Sequence, residues 1–221
     1  MQYSIEGELA QVAHLVMDRG EACWASRGAL VALDPDLRWT LRVPGGAGGA
    51  ARRMMSGEGI ALTYLEASRD GQRATLAANQ PGKILAWDLD AGAVVATRGS
   101  FVAAFGPNVC IDVTLARRAG AAFFGGAGLF LQKLSGSGTA LIHGAGDFVE
   151  HELAKGEAIL VSTGSLAAFA ETVDYDIQGV AGCRRVAFGG EGLFMTRLTG
   201  PGRVLLQSLR RAPAQQKQGS G

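Results

Sequence analysis

The amino-acid sequence predicts an all-β protein of triplicated antiparallel β units, a β-sandwich or β-prism-like body, on three observations. A short phrase recurs: Gly57-Glu58-Gly59-Ile60 followed by Leu62 and Leu65, Gly126-Ala127-Gly128-Leu129 followed by Leu131 and Leu134, and Gly190-Glu191-Gly192-Leu193 followed by Met195 and Leu198. Copies of one supersecondary unit bury each other's apolar faces, so a recurring phrase reports how a chain is built. Laid over Phe188 to Leu206 at an offset of 64, Phe124 to Ile142 gives ten identities over nineteen positions, five of them glycines. Glycine turns also interrupt the apolar runs too often for helices of ordinary length.

Each unit reads as two segments. The first segments, at 17–41, 89–113 and 153–177, open on Met17-x-x-Gly20, Leu89-x-x-Gly92 and Leu153-x-x-Gly156, then run through small apolar residues to alanine and a large apolar residue. The earliest copy stands 72 positions ahead of the second, matching Asp18-x-Gly20 and Pro35 to Asp90-x-Gly92 and Pro107. The second segments, at 57–76, 126–142 and 190–206, carry the Gly-x-Gly phrase and then alternate, as in Leu193-Phe194-Met195-Thr196-Arg197-Leu198 and Arg203-Val204-Leu205-Leu206. Alternation is the period of a strand. Arg69-Asp70-Gly71-Gln72, Ser135-Gly136-Ser137-Gly138 and Thr199-Gly200-Pro201-Gly202 occupy equivalent turn positions, so each second segment is expected to be a β-hairpin.

Thirty-three glycines in 221 residues is about twice the usual share, and a hydrophobic content of 48% supplies a core. The expected organisation is one domain over 1–211, with units at 1–76, 77–142 and 143–211, and a disordered polar tail at 212–221. Met1-Gln2-Tyr3-Ser4 leads straight into Ile5 with no basic and then apolar leader, and the apolar passage Ala119 to Leu131 is shorter than a bilayer span. Cys23, Cys110 and Cys183 are odd in number and far apart, which suits neither a disulfide framework nor a Cys-x-x-Cys metal site. Three plain buried thiols in a cytoplasmic protein are the expectation.

Arg53-Met54-Met55-Ser56-Gly57-Glu58-Gly59, Gln80-Pro81-Gly82-Lys83-Ile84, Gly92 with Gly99-Ser100-Phe101-Val102-Ala103, and above all Phe188-Gly189-Gly190-Glu191-Gly192-Leu193-Phe194 resemble the family named for altered inheritance of mitochondria. The likeness covers nearly the whole chain. It implies a fold similar to that of the tryptophan RNA-binding attenuation protein, with tandem antiparallel β units assembled as ring-like trimers, and it implies no agreed activity. Mitochondrial relatives are linked to organisation of the inner membrane, whereas this sequence reads without a transit peptide.

Candidate chemistries are few. Pro44-Gly45-Gly46-Ala47-Gly48-Gly49-Ala50-Ala51-Arg52-Arg53 lacks the Gly-Lys-Ser/Thr ending of a phosphate-cradling loop and reads as a connection. His143, His151, Glu150 and Glu152 suggest a cupin-like metal site, but such sites need a His-x-His pair on one strand face, and alternation here puts Glu150 and Glu152 together with His151 turned away. Gly-x-Ser-x-Gly is absent. Asp174 and Asp176 share a strand face, yet Asp176 matches Asp112 one unit earlier, as a structural residue would. No catalytic residue, metal or cofactor is expected.

Arginine pairs precede each second segment: Arg52-Arg53, Arg117-Arg118 and Arg184-Arg185. Equivalent positions of a repeat fold land on equivalent surfaces, so the pairs are candidates for an anion-binding face for nucleic acid, anionic lipid or a membrane surface. A net charge of +1 argues instead for solvated loop charge. Phe123-Phe124, Leu129-Phe130 and Leu193-Phe194 each place one large apolar residue away from the core, which predicts self-association, with a trimer expected. Two functions follow: a non-catalytic homo-oligomeric scaffold or binding module, or a cupin-like small-molecule-binding or enzymatic β-barrel. A polar pocket with converging His or carboxylate groups separates them.

Overall fold

The computed structural model describes residues 1–45, 61–97, 99–115, 130–179 and 194–210. They form antiparallel β-sheets, with one short 3-10 turn at Thr163–Ser165 and no α-helix among them. In chain order the strands are β1 (Gln2–Glu6), β2 (Val12–Met17), β3 (Ala22–Ala25), β4 (Leu30–Leu33), β5 (Arg38–Arg42), β6 (Leu62–Glu66), β7 (Gln72–Ala77), β8 (Gly82–Asp88) and β9 (Val94–Thr97). There follow β10 (Phe101–Leu115), β11 (Phe130–Ala145), β12 (Phe148–Leu153), β13 (Ala158–Ser162), β14 (Leu166–Ala170), β15 (Asp174–Gly179), β16 (Phe194–Thr199) and β17 (Gly202–Gln207).

Three sheets result. One runs β1-β2-β7-β4, a second runs β12-β17-β14-β9-β11-β10-β3-β6-β5 with β8 also on β11, and a third runs β13-β16-β15. Alternation drives the first layer: Ala13, Leu15 and Met17 of β2 and Ala74 and Leu76 of β7 point inward and meet Cys23, Leu65 and Leu141 of the large sheet. A second core, with Trp87, Phe101, Leu134 and Ile142, lies within the folded large sheet. A third joins Leu166, Phe169 and Val204 to Val161 and Leu198 of the three-stranded sheet. Strand β9 is buried on both faces, Val94 and Ala96 facing the second core and Val95 the third. A strand sandwiched between two cores reads as a continuous apolar run, and Ala103, Ala104, Ala167 and Ala168 are small for the same reason.

The expected hairpins do not form. Strands β6 and β7 lie in different sheets, as do β16 and β17, and each pairs with strands from elsewhere in the chain. The turns at 69–72 and 199–202 therefore carry the chain across a sandwich. Gly136-Ser137-Gly138 is no turn at all but a bend inside β11, where the β10–β11 register shifts between Phe105 and Asn108. There the two backbones touch: a Cβ on Gly106 would lie 2.3 Å from the Ser137 oxygen, and one on Gly138 2.2 Å from the Phe105 oxygen. Only glycine admits that approach.

The Asp-x-Gly phrases also acquire a physical role. Asp18 Oδ1 accepts the Gly71 amide at 3.0 Å, and Asp90 Oδ2 accepts the Gly138 amide at 3.1 Å. Each carboxylate thus satisfies a backbone donor at a crossing point, where the ladder supplies no partner. Glu21 likewise accepts the Asp18 amide and Glu157 the Ala154 amide, each at 2.8 Å.

Candidate functional site

The candidate arginines Arg52, Arg53, Arg117, Arg118, Arg184 and Arg185 lie outside the described residues, as do Cys183 and the phenylalanines at 123 and 124. Their positions in the strand order are informative. Arg52 and Arg53 fall between β5 and β6, Arg117 and Arg118 between β10 and β11, and Arg184 and Arg185 between β15 and β16. Each of these pairs of strands is a directly paired antiparallel ladder, for example Trp39 opposite Leu65, Ile111 opposite Leu134 and Tyr175 opposite Leu198.

The histidine cluster is dispersed over separate ladders. His143 on β11 is buried opposite Ile84, and its amide donates to the Ser100 carbonyl at 2.7 Å. His151 on β12 is half-buried opposite Val204, while Glu150 accepts Arg203 Nε at 3.1 Å on an exposed face. No group of three or more His, Cys, Asp or Glu among the described residues is arranged to hold a metal ion.

Asp112 stands opposite Lys133, and Asp176 opposite Arg197, 64 residues on. Cross-strand placement against a cation accounts for the repeated aspartate without any catalytic role. Cys23 is fully buried as expected, and that burial pushes its pKa up to about 12, whereas Cys110 is exposed, against expectation, and its thiol is raised first by desolvation and then by the neighbouring Asp112 carboxylate. Deprotonation of Cys23 is therefore suppressed, so it serves as a small core residue.

One constellation was invisible in the sequence because it joins residues up to 69 positions apart. His14 Nδ1 lies 3.0 Å from Thr75 Oγ1, and His14 Nε2 lies 3.5 Å from Glu6 Oε2. The order hydroxyl, imidazole, carboxylate is that of a nucleophile, its base and an orienting group. Here, however, the His14–Glu6 contact is long and Glu6 is 67% exposed. Thr75 pairs on both sides, with His14 and Ala32, in the ladder. His14 and Thr75, but not Glu6, border an open depression of about 290 Å³ also lined by Val16, Asp34 and Arg73. A second depression of about 350 Å³ is bordered by Trp87, Asp88, Glu171 and Arg203. Arg203 stacks on the Trp87 ring at 5.3 Å, and the indole N–H donates to the Gly92 carbonyl at 2.9 Å.

Several exposed large apolar side chains sit instead on strands at sheet ends, while Leu9, 85% exposed, lies between β1 and β2. Val31 on β4, Trp39 and Leu41 on β5, and Leu160 on β13 are each more than half exposed. Among the described residues, strands β4, β5 and β13 each pair on one side only.

Fold and surface together define a class: an all-β protein of antiparallel sheets with apolar side chains on edge strands that, among the described residues, pair on one side only. No helix among the described residues is long and apolar enough to cross a membrane. The chain matches the family described as Mitochondrial biogenesis AIM24 over residues 3–209, and it belongs to that family. It is also similar to the crystal structure of protein SPYM3_0169 from Streptococcus pyogenes, with a TM-score of 0.76 and 24% identity, covering 95% of this chain and 94% of that one. That likeness is one of fold. No curated protein matches the chain.

Proposed function

We propose that the protein is a non-catalytic, self-associating scaffold or binding module of the cytoplasm, built from three copies of one β unit, and that it works as a homotrimer. The observation that carries this reading is the placement of Val31 and Leu160, 61% and 55% exposed, on edge strands that pair on one side only among the described residues. An unpaired apolar edge is a template for another strand, and proteins that stay monomeric normally blunt it with charge or proline. Triplication is supported by ladders that repeat in register: Val12 opposite Ala77, Ile84 opposite His143 and Phe148 opposite Gln207 hold matching places in three strand pairs. A register shift also recurs at Leu30/Ala32, Phe101/Ala103 and Leu166/Ala168. Light scattering at micromolar concentration is expected to give about three times the 22.9 kDa chain mass. A clean single-chain mass would refute self-association.

The arginine pairs give this scaffold an anion-binding face for nucleic acid or anionic lipid. All three pairs fall in the same kind of connection, between the partners of an antiparallel ladder, which supports a shared location. Binding to anionic liposomes or single-stranded nucleic acid at about 50 mM salt should weaken steeply as salt is raised, because counterion release drives it. Replacing Arg52, Arg53, Arg117, Arg118, Arg184 and Arg185 by Gln should abolish binding. The melting temperature should stay within a few degrees, since exposed charges contribute only about 0 to 1 kcal/mol each. No binding by the unaltered protein would return these arginines to plain surface charge.

A further inference from the structure

Two seams inside the chain are built alike. In one, β3 pairs with β10, Trp24 opposite Ala104 and Cys23 opposite Phe105. In the other, β9 pairs with β14, Ala96 opposite Ala168 and Val95 opposite Phe169. Trp24 and Ala96 differ by the offset of 72 found in the sequence, and Ala104 and Ala168 by the offset of 64. The second seam is therefore the first displaced by one unit, with its register kept. Register is tightly specified wherever a strand buries a face, because a slip of one residue turns every side chain to the other face.

The same offsets lead to two strands that have no such partner. Ala96 maps to Leu160 on β13, and Ala104 maps to Ala32 on β4. Among the described residues, strand β13 pairs only with β16, and β4 only with β7, so each keeps one edge without a described partner. Residues at the corresponding places of the internal seams are covered: Ala96, Ala103 and Ala104 are fully buried. Val31 and Leu160 are not. The face beside β4 repeats the pattern, since Thr75 borders the 290 Å³ depression while Leu141 and Leu205, which hold its place in the β8–β11 and β12–β17 ladders, are fully buried.

We propose that β13 of one copy adds antiparallel onto β4 of the next copy, with Leu160 opposite Ala32, Ile159 opposite Leu33 and Val161 opposite Val31. This rests on the reading of the chain as three like units and specifies how copies join. The partner is a second copy because β13 carries the register that the two internal seams use, and within one chain β4 belongs to the first sheet and packs on the first core while β13 belongs to the three-stranded sheet and packs on the third, with no pairing between them among the described residues. The contact joins two different surfaces, so it is head-to-tail and must close into a ring or extend as a chain.

The test uses two full-length variants, both with Cys110→Ser and Cys183→Ser, one carrying Ala32→Cys and the other Leu160→Cys. Cys23 is fully buried and stays. Mixed and oxidised with copper phenanthroline, they are expected to form a covalent two-chain species that neither forms alone. Pairing Leu160→Cys with Val31→Cys, one residue out of register and on the opposite face, should link at least about tenfold more slowly. Circular dichroism on each variant checks that the fold is retained. A multimeric unaltered protein whose Ala32→Cys and Leu160→Cys variants do not link would overturn this seam while leaving self-association standing. A monomeric unaltered protein would overturn both. A link formed within one chain carrying both cysteines would overturn the second copy as the occupant.

Discussion

Gly136→Ala is expected to lower the melting temperature by about 10 °C, and Gly156→Ala by only a few degrees. Both glycines have positive φ, +105° and +82°, and an L-residue forced there costs about 1–2 kcal/mol. What separates them is space. A Cβ on Gly136 would lie 1.7 Å from the Asn108 carbonyl oxygen, a backbone atom of the facing strand, whereas one on Gly156 meets nothing within 4 Å. The first substitution must push apart two paired backbones at the bend shared by β10 and β11, and such disruptions fall at about 3–5 kcal/mol, the upper end for single substitutions. At about 2–4 °C per kcal/mol for a chain of this size, thermal melts followed by circular dichroism resolve the two. Equal shifts for both variants would contradict the close backbone crossing.

Much of this architecture is legible in the residues, and the exceptions have physical causes. Alternation in Arg203-Val204-Leu205-Leu206 places a strand, and β17 is there over Gly202–Gln207. The offset of 64 between Asp112 and Asp176 reappears as matched cross-strand positions facing Lys133 and Arg197. The hairpins were misread because a glycine turn between two alternating runs looks the same whether the runs pair with each other or enter different sheets. That choice is made by distant partners, such as β2 for β7 and β12 for β17. Cys110 was expected to be buried, but it occupies an exposed position, which free cysteine seldom does. The contact of Glu6, His14 and Thr75 depends on the pairing of β1, β2 and β7, which no local pattern announces. Conversely, the apolar residues Val31 and Leu160 look like ordinary core in the sequence, and only the sheet order reveals that they stand on strands at the ends of the described sheets.

Amide hydrogen exchange at the two free edges tests the account most directly. An edge strand that gains a partner has its outward amides bonded, and their exchange slows by the factor by which the seam is closed more often than open. At micromolar concentration, peptides spanning Leu30–Leu33 and Ala158–Ser162 are expected to exchange at least about a hundredfold more slowly than Arg38–Arg42, a strand that pairs on one side only among the described residues and serves as the internal standard. Dilution that dissociates the copies should remove that protection from β4 and β13 together and leave the internal seams at Cys23–Ala25 and Val94–Ala96 unchanged. Exchange at β4 and β13 as fast as at β5, at every concentration, would contradict the claim that copies of this chain join through those edges.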